Sequence, residues 1–533
     1  MRSPRARHAA GMLRAMKAPI FAAVLALAAC GPASRGATGD GGQSGGPDAA
    51  PQMVTGTRNE GGAPANSAQL FGSATETSGL APSIVYPANG IVAPPNLGEF
   101  DVHWTQATDN LFAVHFGNQY ADYTVYTTGQ PGGNWWTVLT PDEWAQLATT
   151  LNPLQVTVAG LNTSTPTMKG TSTAITVSAA HEPILGGVYY WSTSSSAGAE
   201  GDMFHYDTSQ PSVPAAPYYT AQSVPGGCIG CHALSHDGTK LAFTTVTVPG
   251  PGEIVNTADQ SALVAAGGTY WDFATFNADG SKLVTADDNG AAGQLTLRSA
   301  SSGASLATVP ASPGKFGDHP DLSPDGTLLA NVETSNQDGQ FPVIMPDTGA
   351  IVVRTFDDAA NSFGAIKTVI ADDANGASGL SSFYPSFSPD GQWLLVTRVN
   401  ASQNTNTENG AVGVYANPAS KTWVVKADGS QPPIELAQAN STGALGDSWA
   451  RWAPFSETDT TGAQLYFITF TSVRQFGVRI PQVGSPQIWM APFYPAKATA
   501  GTDPSGPAFR VPFQDVTNHN HIAQWSQEVV VID

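Results

Sequence analysis

A short pattern recurs through the second half of the chain: a strand-like segment, an Asp-Gly pair, and then an apolar segment. The sequence Ser-Pro-Asp-Gly stands at 323–326 before the apolar residues 328–330, and again at 388–391 before 393–396. Asp-Gly is suited to a tight turn between two antiparallel strands. A unit of this size cannot bury its own apolar face, so several units have to pack together.

Four copies of the pattern can be aligned, together with a degenerate fifth copy and a sixth copy that lack the Asp-Gly pair. They are 231–238 with 240–243, 273–280 with 283–284, 319–326 with 328–330, 384–391 with 393–396, 449–452 with 465–468, and 522–526 with 529–532. Segments such as 294–297 and 487–490 supply outer strands. The last copy has only two strands, whereas 187–191 and 202–206 have no copy of their own. We expect these two segments to complete the last unit and to close a ring.

The Ser-Pro-Asp-Gly copies resemble the propeller repeat of TolB-type proteins, which is similar to the WD40 repeat in geometry. The resemblance covers residues 186–533 and implies a six-bladed β-propeller. It implies little about activity, because propellers host many functions. It does not extend to the N-terminal part or to a Cys-X-X-Cys-His insertion at 228–232, so it does not carry over a Pal-binding role.

Residues 81–180 show alternating apolar segments between Gly, Pro and Asn turns. The predicted strands are 84–86, 100–104, 112–116, 123–126, 154–158 and 174–177. Short strands of this kind predict a β-sandwich of immunoglobulin or fibronectin type. One helix interrupts it, because Thr140, Pro141 and Glu143 form a capping box with proline at the first helical position. The predicted fold class is therefore all-β.

The N-terminal residues predict export. Residues 1–30 combine a basic start with an apolar run too short to span a bilayer, which is typical of a signal peptide. The sequence Leu-Ala-Ala-Cys at 27–30 resembles a bacterial lipobox, which implies lipidation of Cys30 and a lipid anchor in the cell envelope. A plain cleaved signal is the alternative. Residues 31–80 are rich in Gly, Ala, Ser and Thr, and predict a flexible tether.

Cys228, Cys231 and His232 form the attachment motif of a c-type haem. Each thiol can add to one haem vinyl group, and the adjacent imidazole is the expected proximal ligand of the iron. Two alternatives remain at this point: a Cys228–Cys231 disulfide, or a zinc site. Zinc would need a fourth strong ligand, and neither a second Cys-X-X-Cys nor His-X-X-X-His follows.

The repeat alignment places this motif within the predicted ring. Cys231 shares a register with His319, Tyr384 and Ile522, and the corresponding strands are expected to line the central channel. His319, His521 and His519 are therefore the candidates for a second axial ligand, and we expect a bis-histidine iron. Without a second ligand the iron would be five-coordinate and open to a small molecule.

The net charge of the chain limits the classes of partner that it can bind. The chain carries 22 Lys and Arg against 42 Asp and Glu, a net charge of −20, so nothing would neutralise nucleic acid phosphates. We expect an exported electron-transfer protein with one covalent haem c, in the periplasm, at the outer membrane or at the cell surface. Its redox partner is not indicated. The alternatives are a ligand- or protein-binding propeller with a disulfide, and a haem enzyme with an open distal site.

Overall fold

The computed structural model describes most of the chain after residue 52. The described ranges are 53–128, 135–194, 201–224, 229–245, 250–287, 294–335, 348–400, 407–408, 411–412, 417–480 and 484–527. They form a mostly β structure of antiparallel sheets with three short α-helices. Cys30 and the predicted signal peptide lie outside the described residues, as does the strand expected at 529–532. None of the described helices has the length and apolarity needed to cross a membrane.

The N-terminal part, up to Ala179, contains eleven strands and two α-helices. Their bounds are β1 (Val54–Glu60), α1 (Ser67–Ser73), β2 (Thr75–Glu76), β3 (Ser83–Tyr86), β4 (Ile91–Ala93), β5 (Phe100–Thr105), β6 (Leu111–Asn118), β7 (Ala121–Thr127), β8 (Trp135–Leu139), α2 (Pro141–Ala148), β9 (Leu154–Leu161), β10 (Met168–Thr171) and β11 (Ile175–Ala179). A single 3₁₀ turn covers Ser78–Leu80.

These strands form two sheets. The larger has the order β1-β7-β6-β9-β10-β2, with β11 joining β9 to β4, and the smaller has the order β3-β5-β8. All six strands predicted here are present, and α2 has the predicted capping box. Trp144 of α2 stacks on Phe100 at 4.4 Å between ring centroids, and its indole donates to the Pro94 carbonyl at 2.8 Å. The helix therefore anchors to the apolar core.

The predicted tether at 31–80 is wrong for residues 53–80. Val54–Glu60 is a strand that pairs in parallel with β7, and β2 pairs in parallel with β10. Arg58 fixes β1 further through ion pairs with Glu60 and Glu143, both at 2.9 Å. Backbone pairing and charged contacts thus order a segment whose low apolar content predicted disorder. Residues 31–52 lie outside the described part of the chain.

Among the described residues after Ala179 there are 27 strands and one α-helix. Their bounds are β12 (Gly187–Ser194), β13 (Asp202–Asp207), β14 (Ala216–Tyr219), β15 (Ile229–Leu234), β16 (Lys240–Thr245), β17 (Gly250–Asn256), β18 (Ala262–Val264), β19 (Tyr270–Phe276), β20 (Lys282–Asp287), β21 (Gln294–Ser299), β22 (Ser305–Val309), β23 (Phe316–Leu322), β24 (Leu328–Thr334), β25 (Ala350–Asp357), β26 (Ser362–Phe363), β27 (Lys367–Ile370), β28 (Leu380–Phe387), β29 (Trp393–Asn400), β30 (Thr407–Glu408), β31 (Ala411–Val412), β32 (Lys421–Lys426), β33 (Ile434–Glu435), β34 (Ser448–Thr458), β35 (Gln464–Ser472), β36 (Gln487–Phe493), α3 (Pro495–Thr499), β37 (Phe509–Arg510) and β38 (Asn518–Trp525). A 3₁₀ turn covers Ala221–Ser223.

The inner strands of six successive sheets form a closed cycle. Contacts join β15 to β19, β19 to β23, β23 to β28, β28 to β34, β34 to β38, and β38 back to β15. The last sheet has the order β14-β13-β12-β38, so the segments at 187–191 and 202–206 complete it as predicted. The closed cycle of antiparallel sheets is the arrangement of a β-propeller.

Two backbone features hold the closing sheet together. Gly187 N donates to Ser526 Oγ at 2.9 Å, and Ser526 N donates to Gly187 O at 3.0 Å. Gly186 has a φ of +82°, and a Cβ there would lie 2.0 Å from the Ser526 carbonyl oxygen. Only glycine therefore allows the chain from the N-terminal part to approach β38 this closely.

The Ser-Pro-Asp-Gly turns explain why the pattern recurs. In the copy at 323–326, Ser323 Oγ donates to Asp325 Oδ1 at 2.6 Å and accepts from Leu328 N at 2.9 Å. Gly326 follows with a φ of +72°. The turn thus satisfies its own polar groups and fixes where β24 begins, which sets the register of the inner strand before it.

The N-terminal part packs against the sheet that contains β34, β35, β36 and β37. Asp101 accepts from Arg479 Nη1 at 2.6 Å and contacts His103 Nε2 at 3.3 Å, and all three residues are largely buried. Tyr86 packs edge-on against Phe476 with a centroid distance of 4.8 Å. This contact makes the two parts one packed unit.

Candidate functional site

Six residues, one from each inner strand, meet at the centre of the cycle of sheets. This axial layer consists of Cys231, Phe273, His319, Tyr384, Trp449 and Ile522. All except Phe273 have a positive φ, between 44° and 53°. In β15, β23, β28 and β34 the same residues coincide with a shift in strand register. The predicted common register of Cys231, His319, Tyr384 and Ile522 is therefore confirmed, and the shared bulge is its structural cause.

Aromatic rings fill most of the axial layer. Tyr384 stacks on Trp449 with centroids 4.3 Å apart and planes at 11°. His319 lies between Phe273 and Tyr384, at centroid distances of 4.4 Å and 4.2 Å. Cys231 is half-buried and packs against this cluster. The cysteine of the predicted haem motif thus faces the centre of the molecule.

His232 occupies a different environment from its neighbour Cys231. Its imidazole is 4% exposed, and Nε2 lies 3.0 Å from the backbone oxygen of Ile522. Burial lowers the pKa of His232 to about 4, so the ring is neutral at neutral pH and Nε2–H donates to that oxygen. His232 therefore lies in the seam between the first and last inner strands.

This geometry tests whether the motif fits a haem. Cys231 is placed at the axial layer, beside the aromatic rings, and Cys228 lies outside the described residues. The Nε2 atom that would ligate iron is hydrogen-bonded to a backbone carbonyl in a buried seam. His232 does not fit the role of axial ligand in this arrangement, because it would first have to leave the Ile522 carbonyl.

The three candidates for a second ligand lie on two strands, His319 on β23 and both His519 and His521 on β38. His319 is in the axial layer with Cys231. His521 is buried against Trp191 at a centroid distance of 5.2 Å, and burial, with a smaller contribution from His519, lowers its pKa to about 3. His519 pairs with Thr193, further along β38. Within the described ranges, no group of three or more His, Cys, Asp or Glu side chains is placed to hold a metal ion.

A cavity that the sequence reasoning missed lies next to the axial layer. Two residues further along each inner strand stand Ala233, Thr275, Asp321, Ser386, Arg451 and Gln524, which line a cavity of about 100 Å³. Pro324 and Pro389 also line it, so this axial chamber lies on the side of the Ser-Pro-Asp-Gly turns. No local sequence pattern marks this cavity, because each of these six residues comes from a different strand.

Asp321 and Arg451 dominate the electrostatics of the axial chamber. Asp321 Oδ2 accepts from Phe387 N at 2.7 Å, and Arg451 Nη1 donates to the Ala450 oxygen at 3.3 Å. Burial raises the pKa of Asp321 to about 6, against the opposing effects of Arg451 and the Phe387 amide. Burial also lowers the pKa of Arg451, whereas Asp321 and Tyr384 raise it. The chamber thus holds one partly neutralised carboxyl and one guanidinium.

Comparison with known proteins gives distant similarity only. No family model matches the chain, and no curated protein matches it. Among solved structures, TolB from Acinetobacter baumannii is similar with a TM-score of 0.40 and 12% identity over 70% of this chain and 79% of that one. A putative TolB from Agrobacterium tumefaciens gives 0.35 and 12% over 64% and 99%, and the tricorn protease gives 0.30 and 11% over 67% and 34%. These values indicate distant structural similarity to TolB-like and tricorn β-propellers and assign no function.

Proposed function

We propose that the chain is an exported electron-transfer protein that carries one covalent haem c on a six-bladed TolB-like propeller behind an immunoglobulin-like sandwich. The observation that carries the proposal is the Cys-X-X-Cys-His motif at 228–232. Its support from the fold is that Cys231 lies in the axial layer, where residues from all six inner strands pack together.

Cys228 and Cys231 would hold the group through thioethers, and the haem would supply a one-electron redox centre. The chain's own contribution is a layer of aromatic side chains beside Cys231, with Tyr384 and Trp449 stacked at 4.3 Å. Those rings exclude water from one side of the attachment point. The proposal rests on the cysteines, because the imidazole of His232 is bonded to the Ile522 carbonyl.

The test is expression of the full chain with a c-type haem maturation system. The purified protein is expected to gain the mass of one haem and to keep a haem stain after denaturation. The Cys228→Ala/Cys231→Ala variant is expected to lose both signals entirely, whereas His115→Ala, the control at an exposed histidine of β6, keeps the covalent mass. An unmodified wild-type mass that is two hydrogens short would overturn the proposal and indicate a disulfide.

A second candidate function is supported by a separate observation. The axial chamber brings a carboxyl, a guanidinium and several uncharged polar side chains together in one cavity, which is typical of a ligand-binding site. In this alternative Cys228–Cys231 is a structural disulfide and His232 is a structural hydrogen-bond donor. The third alternative, a haem enzyme with an open distal site, would be recognised by a high-spin ferric spectrum that changes readily on addition of cyanide.

The lipid anchor gives a further prediction. Lipidation of Cys30 is proposed from the lipobox-like sequence at 27–30. Cys30→Ala is therefore expected to move the protein from the membrane fraction to the soluble fraction, because the acyl chains would be absent. Fractionation with and without detergent measures this, and Cys30→Ala protein that stays with the membranes would show that another contact holds it.

A further inference from the structure

The axial chamber is built separately from the haem motif. Its wall residues follow the axial layer along each inner strand, whereas His519 and His521 precede that layer along β38. The aromatic rings of Phe273, Tyr384 and Trp449 stand between the two sides. An occupant of the chamber would therefore be bound whether or not a haem is attached.

The charged groups of the chamber face each other without pairing. Asp321 lies in β23 and Arg451 lies in β34, and each of them shifts the pKa of the other. Across the described residues no direct ion pair joins them, and each side chain has a single hydrogen bond to the backbone. Arg451 is half-buried, and a guanidinium that lines a cavity with most of its donors unused calls for water or a ligand to satisfy them.

The size and the walls restrict the occupant. A cavity of about 100 Å³ has room for on the order of seven water molecules, which corresponds to a molecule of few heavy atoms. Thr275, Ser386, Gln524, Gln527 and His236 add further polar groups, and apolar side chains also line the wall. Its apolar members are Leu234, Phe276, Leu322, Phe387, Trp452 and Trp525.

We infer that the axial chamber binds a free α-amino acid with a small apolar side chain. Its carboxylate would pair with the guanidinium of Arg451, which suits bidentate recognition of that group. Its ammonium group would pair with Asp321, which lines the same cavity from β23. A single ligand would then satisfy both charged groups, which neither an anion nor a cation alone can do.

The test compares ligands that differ by one charged group. Isothermal titration calorimetry on the full wild-type chain uses L-alanine, propionate, which lacks the ammonium group, and ethylamine, which lacks the carboxylate. We expect L-alanine to bind at least tenfold more tightly than either analogue, because each loses one charge-assisted interaction. L-valine and L-leucine then measure how large a side chain the apolar wall accepts.

Two variants connect the binding to the chamber. Asp321→Asn and Arg451→Gln are each expected to weaken L-alanine binding tenfold or more, whereas Asp358→Asn, in a surface ion pair with Lys282, leaves it unchanged. Absence of heat with all amino acids would overturn the inference. Equal binding of propionate and L-alanine would also overturn it and leave an anion site. The wild-type comparison remains decisive if a variant fails to fold.

Discussion

Asp447→Ala is expected to lower the free energy of unfolding by about 3–5 kcal/mol. The Asp447 carboxylate is fully buried and accepts from Arg474 Nη2 at 2.6 Å, from Lys421 Nζ at 3.2 Å and from Ser441 N at 2.7 Å. Removing the carboxylate leaves the two cations, Arg474 and Lys421, and the backbone amide of Ser441 without this partner. Water reaches this part of the structure poorly. Urea unfolding followed by circular dichroism measures the loss.

The matched control is the same change at the surface. Asp358 pairs with Lys282 at 3.2 Å, and its side chain is 41% exposed. Asp358→Ala is expected to cost no more than about 1 kcal/mol, because water screens an exposed ion pair. Equal losses for the two variants would contradict the idea that burial makes the Asp447 cluster important.

The cluster also has a pH signature. Burial alone would raise the pKa of Asp447, but Arg474 and Lys421 outweigh it and hold that pKa below its usual value. A carboxyl with a depressed folded-state pKa stabilises the protein above its unfolded-state pKa and loses that contribution as the pH falls through the folded value. The difference between wild type and Asp447→Ala should therefore shrink only in strongly acidic solution.

The repeat register could be predicted because each Asp-Gly turn fixes a point from which the inner strand can be counted backwards. Counting from Asp237, Asp325 and Asp390 places Cys231, His319 and Tyr384 at equivalent positions, and the structure confirms it. What the turn does not reveal is the bulge at these positions. Because it reorients the backbone locally, Cys231 faces the axial layer while the next residue packs into the seam.

The axial chamber and the ordered segment 53–80 escaped the sequence reasoning for a common reason. Asp321 and Arg451 are 130 residues apart and meet only because two different sheets converge on one cavity. Likewise, β1 is ordered by pairing with β7, more than 60 residues away, and not by its own apolar residues. Long-range pairing leaves no local periodicity to read.

The second large effect concerns a half-buried histidine outside the candidate site. His205 lies in β13 with its ring 4.5 Å from that of Tyr189 and 6.3 Å from that of Tyr218, measured between centroids. Its Nε2 is buried, with no hydrogen-bond partner in the part of the chain that is described. Burial lowers the pKa of His205 to about 4, although Asp207 opposes this effect. Folding therefore has to keep the ring neutral.

The direction in which pH changes the stability follows from the linkage between proton binding at His205 and folding. As the pH falls below the unfolded-state pKa of about 6.5, the unfolded chain binds a proton at this histidine that the folded chain does not. Stability due to the neutral ring is therefore present above about pH 6.5 and is lost progressively as the pH approaches 4. At about 1.4 kcal/mol per pKa unit, the loss is on the order of 3 kcal/mol.

His205→Phe should remove this part of the acid sensitivity, because phenylalanine packs against Tyr189 and Tyr218 without a titrating group. We expect wild type to lose on the order of 3 kcal/mol more stability than the variant between about pH 7 and pH 4. Urea unfolding across that range measures the difference. His115→Phe, at a side chain that is 41% exposed, controls for the substitution itself. Parallel profiles of stability against pH for wild type and His205→Phe would show that the folded protein accommodates a charged imidazole at this position. They would contradict the prediction that the environment of His205 contributes to acid unfolding.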